Sequence, residues 1–201
     1  PTSSPSYSHD PTLFRERNWT AQILEASFVS CSVIVHDKTI VCGGTLSAFC
    51  LRFDNPTGQL SAVTTLPWDQ MNAIAVVDEN YVVVGQWNGG SQFVIALFNT
   101  IENNLHWSFR SPSQLARLQA VTLHKSMQVI LAVGNNDKRH VIAAALDKNV
   151  GKLVWGFSYE VNGLNAYATS VEALPGSSGS CLVGYVVDKF NGYTISMLLL
   201  N

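Results

Sequence analysis

Charge is scarce in this chain: Asp, Glu, Lys and Arg make up 13% of its 201 residues. The 12 basic and 14 acidic side chains leave a formal net charge of -2. No basic field is available to condense onto a phosphate backbone, which argues against nucleic-acid binding as the main activity. Long apolar runs are missing as well. The run Val141 to Leu146 is only six residues, against the roughly 20 that a bilayer-crossing helix needs, so no membrane insertion is expected. The four cysteines, Cys31, Cys42, Cys50 and Cys181, show no Cys-x-x-Cys spacing, and no Cys/His pair has the short spacing of a zinc site. A metal module is therefore not expected, and no cofactor motif replaces it. What the chain does have is apolar mass. A hydrophobic fraction of 47% offsets the ordering entropy that leaves polar chains unfolded, and the length suits one domain.

Residues 1–12, rich in Ser, Thr and Pro, read as a flexible leader, and residues 13–201 as a single all-β domain. Beyond Trp19, short β-branched runs alternate with turn clusters. Examples are Cys31 to Val35, Thr39 to Cys42 and Phe49 to Phe53, separated by His36-Asp37-Lys38 and Asn55-Pro56-Thr57-Gly58. This is the pattern of strands joined by tight turns.

The same order recurs along the chain. One anchor is a glycine closing a Val-rich strand: Gly43, Gly85, Gly134 and Gly184 lie 42, 49 and 50 residues apart. A second is an apolar strand ending in Asp54, Asn99, Asp147 or Asn201. Four residues past the first three of these stand Gly58, Asn103 and Gly151, which tolerate the positive φ of a hairpin turn. Eight residues past them stand Ala62, Trp107 and Trp155. Such a register predicts about four copies of a four-stranded unit roughly 45–50 residues long, which is the content of a β-propeller blade. The units span about residues 26–68, 71–111, 118–160 and 165–201. An ordinary β-sandwich whose strands share composition is the rival reading.

Trp19 precedes Ser32-Val33 by nearly the interval that separates Trp107 from Ala120-Val121 and Trp155 from Ser170-Val171. It therefore reads as the fourth-strand marker of a blade whose other strands lie at the C-terminal end. Residues 17–24 would pair with that last blade, close the ring and remove the open edges of a linear array. Half of a larger ring, completed by more chain or by a second copy, is the alternative.

The stretch Ala145-Leu146-Asp147-Lys148-Asn149-Val150-Gly151-Lys152-Leu153-Val154-Trp155 resembles the Ala-x-Asp-x-x-Thr-Gly-Lys-x-x-Trp repeat of quinoprotein-like propellers. That group includes pyrroloquinoline-quinone dehydrogenases and non-catalytic outer-membrane assembly propellers. Val150 departs from the pattern, the second copy keeps Asn99 and Trp107 without the Gly-Lys pair, and the first keeps Asp54, Thr57 and Gly58 with Ala62 in place of Trp. The resemblance implies a propeller in which Trp107 and Trp155 pack between blades. The vicinal Cys-Cys pair of the enzymatic branch is missing.

Candidate sites are few. His36, His106, His124 and His140 read as separate surface side chains. Cys42 and Cys50 flank a hairpin and could bridge, yet Cys42 fills the slot of Val84, Val133 and Val183, which favours buried apolar thiols. Asn18-Trp19-Thr20 has the form of a glycosylation acceptor, and Gly176 to Ser180 reads as a flexible turn. The connections between second and third strands of the units carry aromatics beside amides and charges: Trp87 and Asn88, Asn136, Arg139 and His140, Phe190 and Tyr193. Gathered on one rim, these would recognise a protein partner or a glycan. The expected role is a non-catalytic interaction or scaffold propeller that binds a protein; a lectin-like propeller is the alternative, and a quinone-dependent or hydrolytic enzyme a further one.

Overall fold

The computed structural model describes residues 29–44, 47–87, 89, 92–111, 116–174, 181–189 and 192–200. The leader, Trp19 and its neighbours at 17–24, the Gly176 to Ser180 turn, Asn88, Phe190 and Asn201 lie outside the described residues. Among the described residues the apolar runs become strands of antiparallel sheets, and no helix there is long and apolar enough to cross a membrane.

The first sheet holds β1 (Val29–Val35), β2 (Lys38–Gly43), β3 (Ala48–Asp54) and β4 (Gln59–Leu66) in sequence order. The second repeats this with β5 (Gln70–Val77), β6 (Asn80–Trp87), β7 (Gln92–Asn99) and β8 (Leu105–Arg110), and the third with β9 (Ala116–His124), β10 (Val129–Asn136), β11 (Val141–Asp147) and β12 (Leu153–Tyr159). The last sheet contains β13 (Asn165–Ala173), β14 (Cys181–Lys189) and β15 (Gly192–Leu200).

Two local devices recur and explain the sequence anchors. Two of the turns after a third strand are held by the side chain of its Asn or Asp. Asn99 Oδ1 accepts from the backbone N–H groups of Ile101 and Glu102 at 2.8 and 2.9 Å, and Asp147 Oδ1 from those of Asn149 and Val150 at 2.8 and 3.2 Å. Each of these turns leaves one residue in the left-handed region, Asn103 (φ 55°) and Gly151 (φ 67°), as does the turn with Gly58 (φ 70°) in the first sheet, where the Asp54 main-chain carbonyl accepts from the Gly58 N–H at 2.6 Å. The strand glycines mark a close approach. A Cβ on Gly134 would lie 1.8 Å from the Arg117 carbonyl oxygen, at a bulge where β9 carries one residue more than β10. Bulges also stand opposite Gly43, Gly85 and Gly184, and an interior strand glycine commonly has this cause.

The sheets pack face to face in sequence order. One apolar core, with Ile40, Met71, Tyr81 and Phe98, joins the first sheet to the second. Another, with Val82, Ile95, Leu118 and Ile130, joins the second to the third. A third, with Val133, Val141, Val183 and Tyr185, joins the third to the fourth. The innermost strands touch in the same order, β1 to β5, β5 to β9 and β9 to β13, with no comparable packing between β13 and β1 among the described residues.

The cysteines correct one expectation. Cys42 and Cys50 are both fully buried, as their slots imply, but they form a disulfide. The physical reason is register: the two are directly opposite across the β2–β3 hairpin with Cα atoms 4.2 Å apart, a narrow cross-strand pair within reach of a bridge. Cys31 stands opposite Cys42 on the other side, its thiol pushed up in pKa by burial.

Candidate interaction rim

Each sheet begins its first strand and ends its second on the same side, so the starts of β9 and β13 meet the ends of β6 and β10 around one opening. A cleft of about 470 Å³ lies there, lined by Gly89, Arg117, Gln119, Asn135, Asn136, Asp137, Arg139 and Tyr167. Its walls are built by two asparagines with different tasks. Asn135 clamps the fourth sheet: its amide Nδ2 donates to the Ala166 carbonyl, and its Oδ1 accepts from the Ala168 N–H at 3.1 Å. Asn136 folds its own loop, with Oδ1 accepting from the His140 N–H at 2.9 Å and its carbonyl from the Arg139 N–H at 3.0 Å. Arg139 takes φ 59° as a result, and its carbonyl accepts from the Ala166 N–H at 2.9 Å. The loop is therefore pinned by main-chain bonds while the Arg139 side chain stays exposed.

Of the residues expected at a rim, Asn136 and Arg139 share this cleft. His140 stands behind them, half-buried, with Nε2 3.9 Å from a Glu160 carboxylate oxygen. Trp87 is half-buried rather than an exposed rim aromatic: it packs on the core between the first two sheets, and the Arg110 guanidinium lies 4.9 Å from the centre of its ring. Tyr193 is 75% exposed but sits on β15 outside the cleft. Arg117, Gln119 and Tyr167 were not anticipated. The alternation Ala116-Arg117-Leu118-Gln119, buried, exposed, buried, exposed, is the signal that could have found the first two. Among the described residues, the side chains of Arg117, Gln119, Arg139 and Tyr167 make no hydrogen bond or ion pair. The cleft thus presents two guanidinium groups, one amide, one phenol and one carboxylate on a rigid frame.

The structural anchors lie elsewhere. The Trp107 indole Nε1 donates to the Lys148 carbonyl at 2.9 Å, and its ring covers Gly151, so the outer strand of the second sheet holds the turn of the third. Trp155 packs against the core between the third and fourth sheets. Asp54 forms a 2.8 Å ion pair with Lys38. The surface reading fails for His124, which is 1% exposed with Nδ1 facing the Ser126 hydroxyl at 3.2 Å. It closes the hairpin between β9 and β10, where its Nδ1 also accepts from the Met127 N–H at 3.4 Å. His36 and His106 are exposed.

Sheets stacked side by side around a common opening, each with its first strand innermost, define a β-propeller. Solved structures agree. The chain is similar to the computationally designed Ika4 protein (TM-score 0.59, 12% identity, covering 90% of this chain and 96% of that one). It is also similar to the Cps50 (Swd1) β-propeller domain of Myceliophteria thermophila (TM-score 0.57, 12% identity, 84% and 52%) and to U3-55K (TM-score 0.57, 9% identity, 83% and 51%). The chain spans about half the length of the latter two. At these identities the likeness shows the fold alone. No protein-family model matches the sequence, and no curated protein sequence matches it. What stands of the quinoprotein resemblance is the propeller architecture.

Proposed function

We propose that this propeller is a non-catalytic interaction module that holds a protein partner at the cleft between β9, β13 and the neighbouring loops. The observation that carries the reading is the division of labour in the cleft. Asn135 and Asn136 spend side-chain amide atoms on the frame, whereas the Arg117 and Arg139 guanidinium groups, the Gln119 amide and the Tyr167 phenol line the cleft without a hydrogen-bond partner among the described residues. A main chain already pinned by hydrogen bonds lowers the ordering cost of binding, and Arg and Tyr are among the residue types enriched at interface hot spots.

The test is capture from the native source with wild-type protein and with Arg117→Glu/Arg139→Glu, under matched folding controls. Loss of the same captured protein on charge reversal, with an unchanged melting temperature, is the expected result. Equal capture by both would remove the cleft from the interface. Binding confined to a glycan array and insensitive to protein competitors would replace the protein partner by a sugar.

A further inference from the structure

Four arginines fall among the described residues, and two of them hold the fold together. Arg52 Nε donates to the Ser61 hydroxyl at 3.1 Å and its Nη1 to the Thr100 carbonyl at 2.6 Å, while the Arg110 guanidinium lies over the Trp87 ring. The other two, Arg117 and Arg139, are exposed and line the cleft of about 470 Å³. The ion pairs among the described residues draw on Lys38, Lys148 and His140 instead. Of the residues lining the cleft only Asp137 is acidic, so two positive charges stand against one negative. In a chain with a formal net charge of -2, this is a local reversal of sign. Like charges gathered in one cleft raise its potential and draw in an anion.

We propose that the cleft takes a carboxylate side chain, Asp or Glu, from an acidic segment of the protein partner, held by the Arg117 and Arg139 guanidinium groups. The inference rests on the reading of this cleft as the interface and adds the chemistry of what binds there. Each guanidinium carries a planar fork of N–H donors that matches a carboxylate in geometry as well as in charge. One carboxylate brings the lining residues to neutrality. A phosphorylated side chain, with a charge of about -1.5 to -2, overshoots that balance beside Asp137. Gln119 and Tyr167 supply an amide and a phenol, donors and acceptors suited to the main chain flanking the bound carboxylate.

These side chains leave a main chain that is already fixed. Arg117 pairs with Asn135 across β9 and β10, and its carbonyl oxygen lies against Gly134. The next residue, Leu118, is held from the second sheet, where Asn72 Nδ2 donates to its carbonyl at 2.7 Å. Arg139 is bonded at both ends, its N–H to the Asn136 carbonyl and its own carbonyl to the Ala166 N–H. Tyr167 stands between Ala166 and Ala168, the two residues that Asn135 clamps. At Gly89, another lining residue, the N–H donates to an Asp69 carboxylate oxygen at 2.7 Å. Binding then has side-chain rotamers to order and little main chain, which lowers its entropic cost.

The probe is N-acetylated, C-amidated hexaglutamate, titrated into isotope-labelled protein and followed by NMR at the backbone amides and the arginine Nε–H groups, with hexaglutamine as the neutral control. Hexaglutamate should shift the Arg117 and Arg139 Nε–H signals, hexaglutamine should not, and binding should weaken as salt is raised. Arg117→Gln and Arg139→Gln should each weaken it roughly tenfold at an unchanged melting temperature. Shifts that spare both arginines, or an equal response to hexaglutamine, would overturn the proposal. So would tighter binding of a glycine-flanked phosphoserine than of glutamate in the same peptide frame, which would hand the site to phosphate. Capture from the native source separates this inference from the interface reading. A partner lost on Arg117→Glu/Arg139→Glu and also on Arg117→Gln/Arg139→Gln supports it. A partner lost on the first pair but fully retained by the second would leave the cleft an interface and refute carboxylate recognition, and one retained by both would remove the interface and this inference with it.

Discussion

Trp107 offers the sharpest measurement of how the sheets are held together. Its ring covers Gly151, its N–H bonds the Lys148 carbonyl, and it packs on the core shared by the second and third sheets. Withdrawing about 150 Å² of indole from water is worth ~3–4 kcal/mol at ~25 cal/mol/Å². An alanine recovers about 1 kcal/mol of that, and loss of the part-buried hydrogen bond adds about 1 kcal/mol. Trp107→Ala should therefore cost about 3–4 kcal/mol, seen as a fall in melting temperature of roughly 6–16 °C for a domain this size. Trp107→Phe keeps most of the contact and should lose about 1–1.5 kcal/mol. Urea denaturation followed by circular dichroism measures both. A second variant isolates the contact itself: a methyl on Gly151 would lie 2.4 Å from the indole. Gly151→Ala should cost less in the Trp107→Ala background than in wild type, because the clash disappears and only the left-handed backbone strain remains. The reasoning fails if Trp107→Ala stays within about ±0.5 kcal/mol of wild type, or if the two substitutions are additive.

Two further outcomes follow from the first sheet. Replacing Cys42 and Cys50 together by Ala should lower stability under oxidising conditions by about 2.5 kcal/mol, the loop-closure value for so short a bridge; parity with non-reduced wild type would show that the pair is not bonded in solution. The Lys38 ammonium holds the Asp54 carboxyl below its ordinary value of 3.8. A depressed folded-state pKa gives stability that is present above the unfolded value and lost as pH falls through the folded one. Asp54→Asn should therefore flatten the melting-temperature profile below about pH 4. An unchanged acid limb, or one unaffected by added salt, would rule the exposed pair out as its source.

The turn chemistry was the most legible part of the sequence. Asp54, Asn99 and Asp147 each start a turn whose left-handed residue stands four places on, because a residue that tolerates positive φ is written locally, as is the short side chain by which Asn99 and Asp147 bond the turn N–H groups. The strand glycines were legible as a period, but the bulge that demands them was not, since it depends on the neighbouring strand. The rim was read only in part for the same reason. Asn136 and Arg139 belong to a loop visible in the sequence, whereas Arg117, Gln119 and Tyr167 join them through the stacking of separate sheets. Trp87 and His124 show the converse: polar surroundings in the sequence suggested exposure, and packing put Trp87 half inside and His124 fully inside. The Cys42–Cys50 bond turned on register, which the hairpin sets and composition does not reveal.

The Trp107 latch has a direction: the outer strand of one sheet reaches forward to the turn of the next, as Thr64 also does toward Asn103. Both joints among the first three sheets thus point the same way along the chain. The polarity is shared while the chemistry differs, Thr64 on Asn103 at one joint and Trp107 on Gly151 at the next, so each pair of neighbours is matched to its own place in the order.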